Sequence, residues 1–328
     1  MTPWETRPRR IVIGIDFSHS SVAAAQWSAQ WIANGAEIVL VHTLVVPDVS
    51  EDLARRLSLP PSLLANARAG AERRLRDLSA ALGSHGISIE AREGRPADVI
   101  AQVTRDYDAD LIIVGKHGEG GVHRGYTGRT TDHLVRTSPA AVLVVSAIPE
   151  GVPKRIVVPV TYSSVTPHII RWTKRLYDLS HADVIAIHVI GSAVLGHVLT
   201  TSAIKSGKDL TPKEIDAIFI EDKDRWKKEL VDAGIPAAQV SAEVVFGEVS
   251  ESVMGAVQEH RADMVVMGSH AGPVRRLLLG SAASAVLRQA DMPVLIVVEP
   301  EPKESTQAHE KSDKDVQEFR NNLIVAHS

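Results

Sequence analysis

Short apolar runs recur along the chain, separated by longer stretches whose apolar positions step by three or four. In the first half the runs fall near 11–16, 36–45, 86–92, 110–115 and 141–146. Three of them are nearly continuous, the pattern of strands buried on both faces of a parallel sheet. Between the second and third runs, Leu64, Ala67, Ala71, Leu75, Leu78 and Leu82 share one helical face. Gly83 ends that helix, and Pro60-Pro61 separates it from a shorter one before it. Alternating strand and helix predicts an α/β fold with right-handed βαβ crossovers and a doubly wound sheet.

The pattern occurs twice. Arg10-Ile11-Val12-Ile13-Gly14-Ile15-Asp16 is matched by Arg155-Ile156-Val157-Val158-Pro159-Val160-Thr161. Ala36 to His42 is matched by Ala182 to His188, Ala109 to Gly115 by Ala262 to Gly268, and Val142 to Val145 by Val294 to Val297. The order is kept while the offset drifts from 145 to 153 residues, as expected for two copies of one domain. The expected domains are 1–149 and 150–299, joined by the turn-rich segment Pro149 to Pro153. Residues 300–328 open on a charged stretch poor in large apolar residues and are expected to be a disordered tail.

Composition narrows the functions. The 328 residues contain no cysteine, which excludes a disulfide framework, a thiolate metal site and a cysteine nucleophile. The formal net charge of −4, with no strongly basic half, argues against a broad nucleic-acid surface. No apolar run is long enough to span a membrane. Met1 to Arg10 is polar and lacks a signal core, so a cytoplasmic location is expected.

Ligands of doubly wound sheets sit at the carboxyl ends of strands, where the strand order reverses. The fourth run is followed by Gly115-Lys116-His117-Gly118 and then Gly128-Arg129-Thr130-Thr131. Its counterpart is followed by Gly268-Ser269-His270-Ala271-Gly272 and then Gly280-Ser281. Glycines there let backbone N–H groups approach an anion, and a following helix start adds donors and a positive dipole. The chemistry suited to such a loop is holding phosphates.

These residues resemble the universal stress protein family in tandem, over about residues 8–298. The family pattern is Gly-x2-Gly-x9-Gly followed by Ser or Thr, with an aspartate ending strand one, as Asp16 does here. The resemblance implies an adenine-nucleotide alpha-hydrolase-like fold: two five-stranded parallel sheets of order 3-2-1-4-5. It implies ATP, with or without Mg, as the ligand. Asp16 would contact the adenosine part and the backbone near Val41 would read the adenine edge. Gly115, Gly118 and Gly128, with Thr130 and Thr131, would hold the phosphates. Asp16 and Gly115 would face one crevice.

Both copies depart from the pattern. The first has Arg129 at the expected hydroxyl position. The second has Thr161 in place of Asp16, Ala271 in place of the second glycine, and a loop one residue shorter. Its weaker candidates are Gly268, Gly272, Gly280 and Ser281. Copy one is therefore ranked as the ATP site.

No Gly-x4-Gly-Lys-Ser/Thr loop or Gly-x-Ser-x-Gly elbow occurs, so binding is expected rather than catalysis. His117, Glu119 and His123 read as a solvated loop and not a metal site, and His42 and His188 as local hydrogen-bonding groups. The last strand of each copy would lie at a sheet edge. The resemblance implies that these edges join the copies as an intramolecular pseudo-dimer; a homodimer and an unknown protein partner remain open. Two readings stay open as well. One is a stress-response protein with ATP as a regulatory ligand. The other is a nucleotide-free interaction module with degenerate sites, or a binder of another small ligand.

Overall fold

The computed structural model describes residues 8–31, 35–45, 62–83, 86–118, 127–148, 150–191, 212–269 and 279–299. The tail 300–328, Pro60-Pro61, Pro149, Glu119, His123, Ala271 and Gly272 lie outside the described residues. The chain divides into two compact units. One runs to Gly151 and includes Asp291–Pro293, and the other takes the remaining residues from Val152.

The first unit alternates β1 (Arg10–Gly14), α1 (His19–Trp31), β2 (Glu37–Leu44), α2 (Leu63–Leu82), β3 (Ile87–Glu93), α3 (Pro96–Asp106), β4 (Leu111–Gly115), α4 (Arg129–Thr137) and β5 (Ala141–Val145). All pairings are parallel, β1 with β2 and β4, β2 with β3, and β4 with β5, which gives the order 3-2-1-4-5. The second unit runs β6 (Arg155–Val160), α5 (Thr166–Ser180), β7 (Asp183–Ile190), α6 (Pro212–Asp232), β8 (Val240–Phe246), α7 (Val249–His260), β9 (Met264–Gly268), α8 (Ser281–Gln289) and β10 (Val294–Val297). Its order, β8-β7-β6-β9-β10, is the same. The strand order that the family resemblance implied is the one observed in both units.

The apolar runs explain the central strands. Ile11, Val12 and Ile13 of β1 and Leu111, Ile112 and Ile113 of β4 are fully buried, with α3 packed on β1 and α1 on β4. In β3, only one neighbour strand is present and the residues are partly exposed. The α2 helix stops at Gly83, whose φ of 66° is left-handed, and α6 is followed by Gly234 at 97°. Glycine takes this conformation without the Cβ clash other residues meet.

Two expectations need correction. The first strand ends at Gly14, not 16, because Phe17 adopts a left-handed φ of 63° and turns the chain aside. Asp16 therefore lies in the turn beyond the strand. The predicted apolar face of α2 is buried only at Ala71, Leu75 and Leu78; Ala67 is exposed. Burial begins only where the helix reaches the sheet, and its contacts there are with β3 and β2.

Gly14 marks how tightly the sheet face is covered. A Cβ there would lie 2.9 Å from Ile100 Cδ1 and 3.1 Å from Val114 Cγ1, and Ile100 is itself buried. Gly14→Val is expected to lower unfolding free energy by about 1–3 kcal/mol through overpacking. Gly70, in mid-α2 with nothing within 4 Å of an added Cβ, should behave oppositely. Gly70→Ala is expected to add about 0.5–1 kcal/mol. Urea denaturation of the two variants checks both signs.

Candidate functional site

β1 and β4 are hydrogen-bonded neighbours, so the turns that leave them meet at the carboxyl edge of the sheet. The Ile15 N–H still donates to the Val41 carbonyl at 2.8 Å. The chain then turns through Phe17, a bulky residue in a conformation such residues rarely adopt. Side chains hold the turn. One Asp16 carboxylate oxygen, Oδ1, accepts the Ser18 N–H at 2.9 Å and the Ser18 hydroxyl at 2.5 Å. The Phe17 ring lies 4.6 Å from the His42 ring, with the Arg74 guanidinium 3.8 Å above it.

The other oxygen, Oδ2, faces Gly118. A Cβ at Gly118 would stand 2.7 Å from it, so any side chain there would displace the Asp16 carboxylate. The structure thus brings Asp16 and the second motif glycine together. The other two glycines are crowded by the fold itself. A Cβ at Gly115 would lie 3.1 Å from Ser20 Oγ, and one at Gly128 would lie 3.2 Å from the Lys116 carbonyl oxygen. Three hydrogen bonds shape this loop. The Ser20 hydroxyl donates to the His117 carbonyl at 2.6 Å and the Gly128 N–H to the Lys116 carbonyl at 2.9 Å. The Thr131 hydroxyl donates to the Gly115 carbonyl at 3.0 Å.

Gly128 precedes α4 and supplies no side-chain cap. The first turn of a helix has N–H groups without intrahelical partners, a ready place for an anion. Arg129 is exposed at the first helical position and Thr130 is partly buried. Thr131 is buried and its one O–H is committed to Gly115. Val41 is also buried inside β2, with its carbonyl already accepting from Ile15. Its neighbour His42 bonds through Nδ1 to the Ile15 carbonyl at 2.7 Å. Lys116 is only 4% exposed, and burial pushes its ammonium below the ordinary lysine range. Burial, followed by the nearby Lys116 charge, also lowers His117, which favours its neutral form.

The second unit keeps the frame and changes the contents. The Gly280 N–H donates to the Ser269 carbonyl at 2.7 Å, the counterpart of the Gly128–Lys116 bond. Gly268 ends β9, and Ser281 is exposed at the first position of α8. Thr161 stands where Asp16 stands, and its carbonyl accepts from the Ser163 N–H at 2.9 Å and the Thr166 hydroxyl at 2.5 Å.

Beside it lies a cluster that sequence reasoning missed. Asp222 of α6, 6% exposed, accepts the Tyr162 hydroxyl on Oδ1 and bonds to His188 Nδ1 through Oδ2. The Trp226 ring lies 5.0 Å from Tyr162 and 5.8 Å from His188, and the Arg225 guanidinium lies 4.8 Å over Tyr162. Burial, then the hydrogen bond to Asp222, raises the Tyr162 phenol above its ordinary range. The available signal was an aspartate on the face that carries Trp226 and Leu230, both buried.

Among the described residues, Glu243, Glu259 and His260 bring metal-ligating atoms within 4.8 Å of one another. They lie on β8 and α7. His260 Nε2 bonds to Glu243 at 2.7 Å, which accounts for the grouping as a surface contact.

Two doubly wound parallel sheets of order 3-2-1-4-5, each with a glycine closing the fourth strand and another preceding the next helix, define an α/β class of protein. The universal stress protein family model matches residues 8–146 and 153–298, and the chain belongs to that family. Universal stress protein Rv2005c of Mycobacterium tuberculosis is 25% identical over 317 residues, covering 89% of this chain and 98% of that one. A universal stress protein of Thermus aquaticus is 31% identical over 145 residues, covering 42% of this chain and 98% of that one. Among solved structures, a universal stress protein from Archaeoglobus fulgidus has a TM-score of 0.62 at 16% identity, covering 90% of this chain and 97% of that one. That likeness is one of fold. No helix among the described residues is long and apolar enough to cross a membrane.

Asp222 makes the Tyr162 cluster testable. Asp222→Ala removes the carboxylate that the partly buried Tyr162 and the buried His188 both bond, and is expected to cost about 1–3 kcal/mol in urea denaturation. A raised phenol pKa means that the folded state resists ionisation. Its stabilisation is complete below the unfolded tyrosine value of about 10 and is lost as pH rises beyond it. Phenolate absorbance of Tyr162, isolated as the difference from Tyr162→Phe, should appear only above the ordinary range and shift downward in Asp222→Asn.

Proposed function

We propose that the chain is a cytoplasmic stress-response protein that binds ATP, with or without Mg, in the first unit as a regulatory ligand. The observation that carries this reading is the approach of Asp16 to Gly118, where an added Cβ would come within 2.7 Å of the carboxylate. It supports a crevice with a carboxylate on one wall and exposed backbone on the other. Asp16 suits the hydroxyls or amine of an adenosine, as acceptor in charge-assisted hydrogen bonds. The uncapped start of α4, with Arg129 exposed on its first turn, suits phosphate. Thr130 stands beside it, whereas Thr131 acts through the loop by holding Gly115. A partner protein would read the occupied state through the loop between β4 and α4.

Isothermal titration of the full chain with ATP tests this. Asp16→Ala removes a charge-assisted acceptor worth about 1.5–3 kcal/mol, so affinity is expected to fall roughly ten- to a hundredfold. Gly118→Val should remove binding outright by filling the space beside Asp16, while Gly280→Val in the second unit should leave it unchanged. If Gly280→Val abolishes uptake and the first-unit variants do not, the assignment to the first unit is wrong. A protein that takes up no ATP before mutation returns the chain to the nucleotide-free reading.

A further inference from the structure

The two units permit an internal comparison at the same place in the same fold. Counting back from the left-handed glycines, Gly83 and Gly234, Ala71 stands where Asp222 stands, Arg74 where Arg225 stands, and Leu75 where Trp226 stands. The geometry supports this register independently. Arg74 lies over Phe17 at 3.8 Å, and Arg225 lies over Tyr162 at 4.8 Å. Phe17 and Tyr162 each follow the residue at the strand-one turn, and each ring packs on a strand-two histidine, His42 or His188.

Three of these positions change together, each to a larger or more polar side chain: Phe17 to Tyr162, Ala71 to Asp222 and Leu75 to Trp226. The result is one closed network. Asp222 uses one carboxylate oxygen on Tyr162 and the other on His188. Trp226 is 4% exposed, and its indole N–H is buried without a partner among the described residues, so the ring is kept there by its bulk. The carboxylate has in effect moved. In the first unit it is exposed on the strand-one turn as Asp16; in the second that turn carries Thr161, and the carboxylate is buried on α6.

We propose that this network makes the second unit refuse adenine nucleotide, so that the chain binds one nucleotide and not two. Tyr162, Asp222 and Trp226 are then the specificity-determining residues that tell the two crevices apart. The inference rests on the reading of the first unit as the ATP site and adds the cause of the asymmetry. Tyr162 and His188 sit at the ends of β6 and β7, where the second crevice would receive the adenosine. With both rings tied to α6 through Asp222, a ligand there must break two hydrogen bonds to that buried carboxylate before making its own. It also meets Thr161 in place of a carboxylate.

Grafting tests this in both directions, with ATP uptake per chain measured by equilibrium dialysis and titration. The wild type is expected to bind one ATP, weakened roughly ten- to a hundredfold in Asp16→Ala. Placing Phe17→Tyr, Ala71→Asp and Leu75→Trp in the first unit should weaken that site about tenfold or more. In an Asp16→Ala background, Thr161→Asp with Tyr162→Phe, Asp222→Ala and Trp226→Leu should restore one ATP per chain. Circular dichroism and a cooperative melt establish that each variant is folded. Should the four-fold variant not fold, the first-unit graft decides alone. Two ATP per wild-type chain, or one whose affinity Asp16→Ala leaves unchanged, overturns the inference while leaving ATP binding in place. A folded first-unit graft that binds as the wild type does also overturns it. No ATP on the wild type overturns the reading of the first unit and this inference with it.

Discussion

The site depends on one constraint: β1 is hydrogen-bonded to β2 on one side and β4 on the other. Neighbouring strands in a sheet lie about 4.8 Å apart. Residues a hundred apart in sequence, Ile13 and Ile113, are thereby held in register, and the segments that leave these strands begin within reach of each other. The chain goes to opposite faces of the sheet from the two strands, which opens a crevice between the departures. Asp16 and Gly118 meet because of this pairing, and the Ser20–His117 and Thr131–Gly115 bonds fix how closely. The burial of the strands supports a site made of turns, which could not hold its own shape.

Much of the fold was legible because its cause is local. Continuous apolar runs announce strands buried on both faces, and a three-to-four step announces a packed helix. Gly83 ends α2 where its lack of Cβ predicts. The motif glycines were legible too, since their spacing carries a chemical reason. Less accessible were features that depend on partners distant in sequence. Nothing local shows that Thr131 spends its hydroxyl on Gly115, or that the Val41 carbonyl already accepts from Ile15. The end of β1 was misplaced because Ile15 extends the apolar run, whereas the left-handed turn at Phe17 is a tertiary choice. The Tyr162–Asp222–His188 cluster joins the ends of two strands to a helix, and an aspartate within a helical pattern ordinarily reads as solvated.

Duplication gave two copies of one scaffold, and the differences between them fall unevenly. The strands keep their apolar character and their order, because changing either would cost the core of a unit. The crevice-facing turns are under no such constraint. There the second unit has lost Asp16 and the second motif glycine, while the frame bond from the helix-start glycine to the loop carbonyl remains in both. Positions in the strands are thus alike in the two units, and positions in the turns at the carboxyl edge differ.

The reassignment has an energetic consequence. A charged side chain stabilises a ligand only by interactions that it gains on binding. Asp222 has both carboxylate oxygens engaged inside the protein and is nearly inaccessible. It therefore has little to gain from a ligand and much to lose if disturbed. Asp16 is exposed, with Oδ1 accepting from Ser18 and Oδ2 directed at Gly118. The same functional group therefore sits in two settings in one fold: exposed on the strand-one turn, where it accepts from Ser18, and buried on α6, where it holds two rings in place. On the reading proposed for the first unit, the position of the carboxylate relative to the sheet edge, more than its presence, would separate a crevice that receives a nucleotide from one that does not.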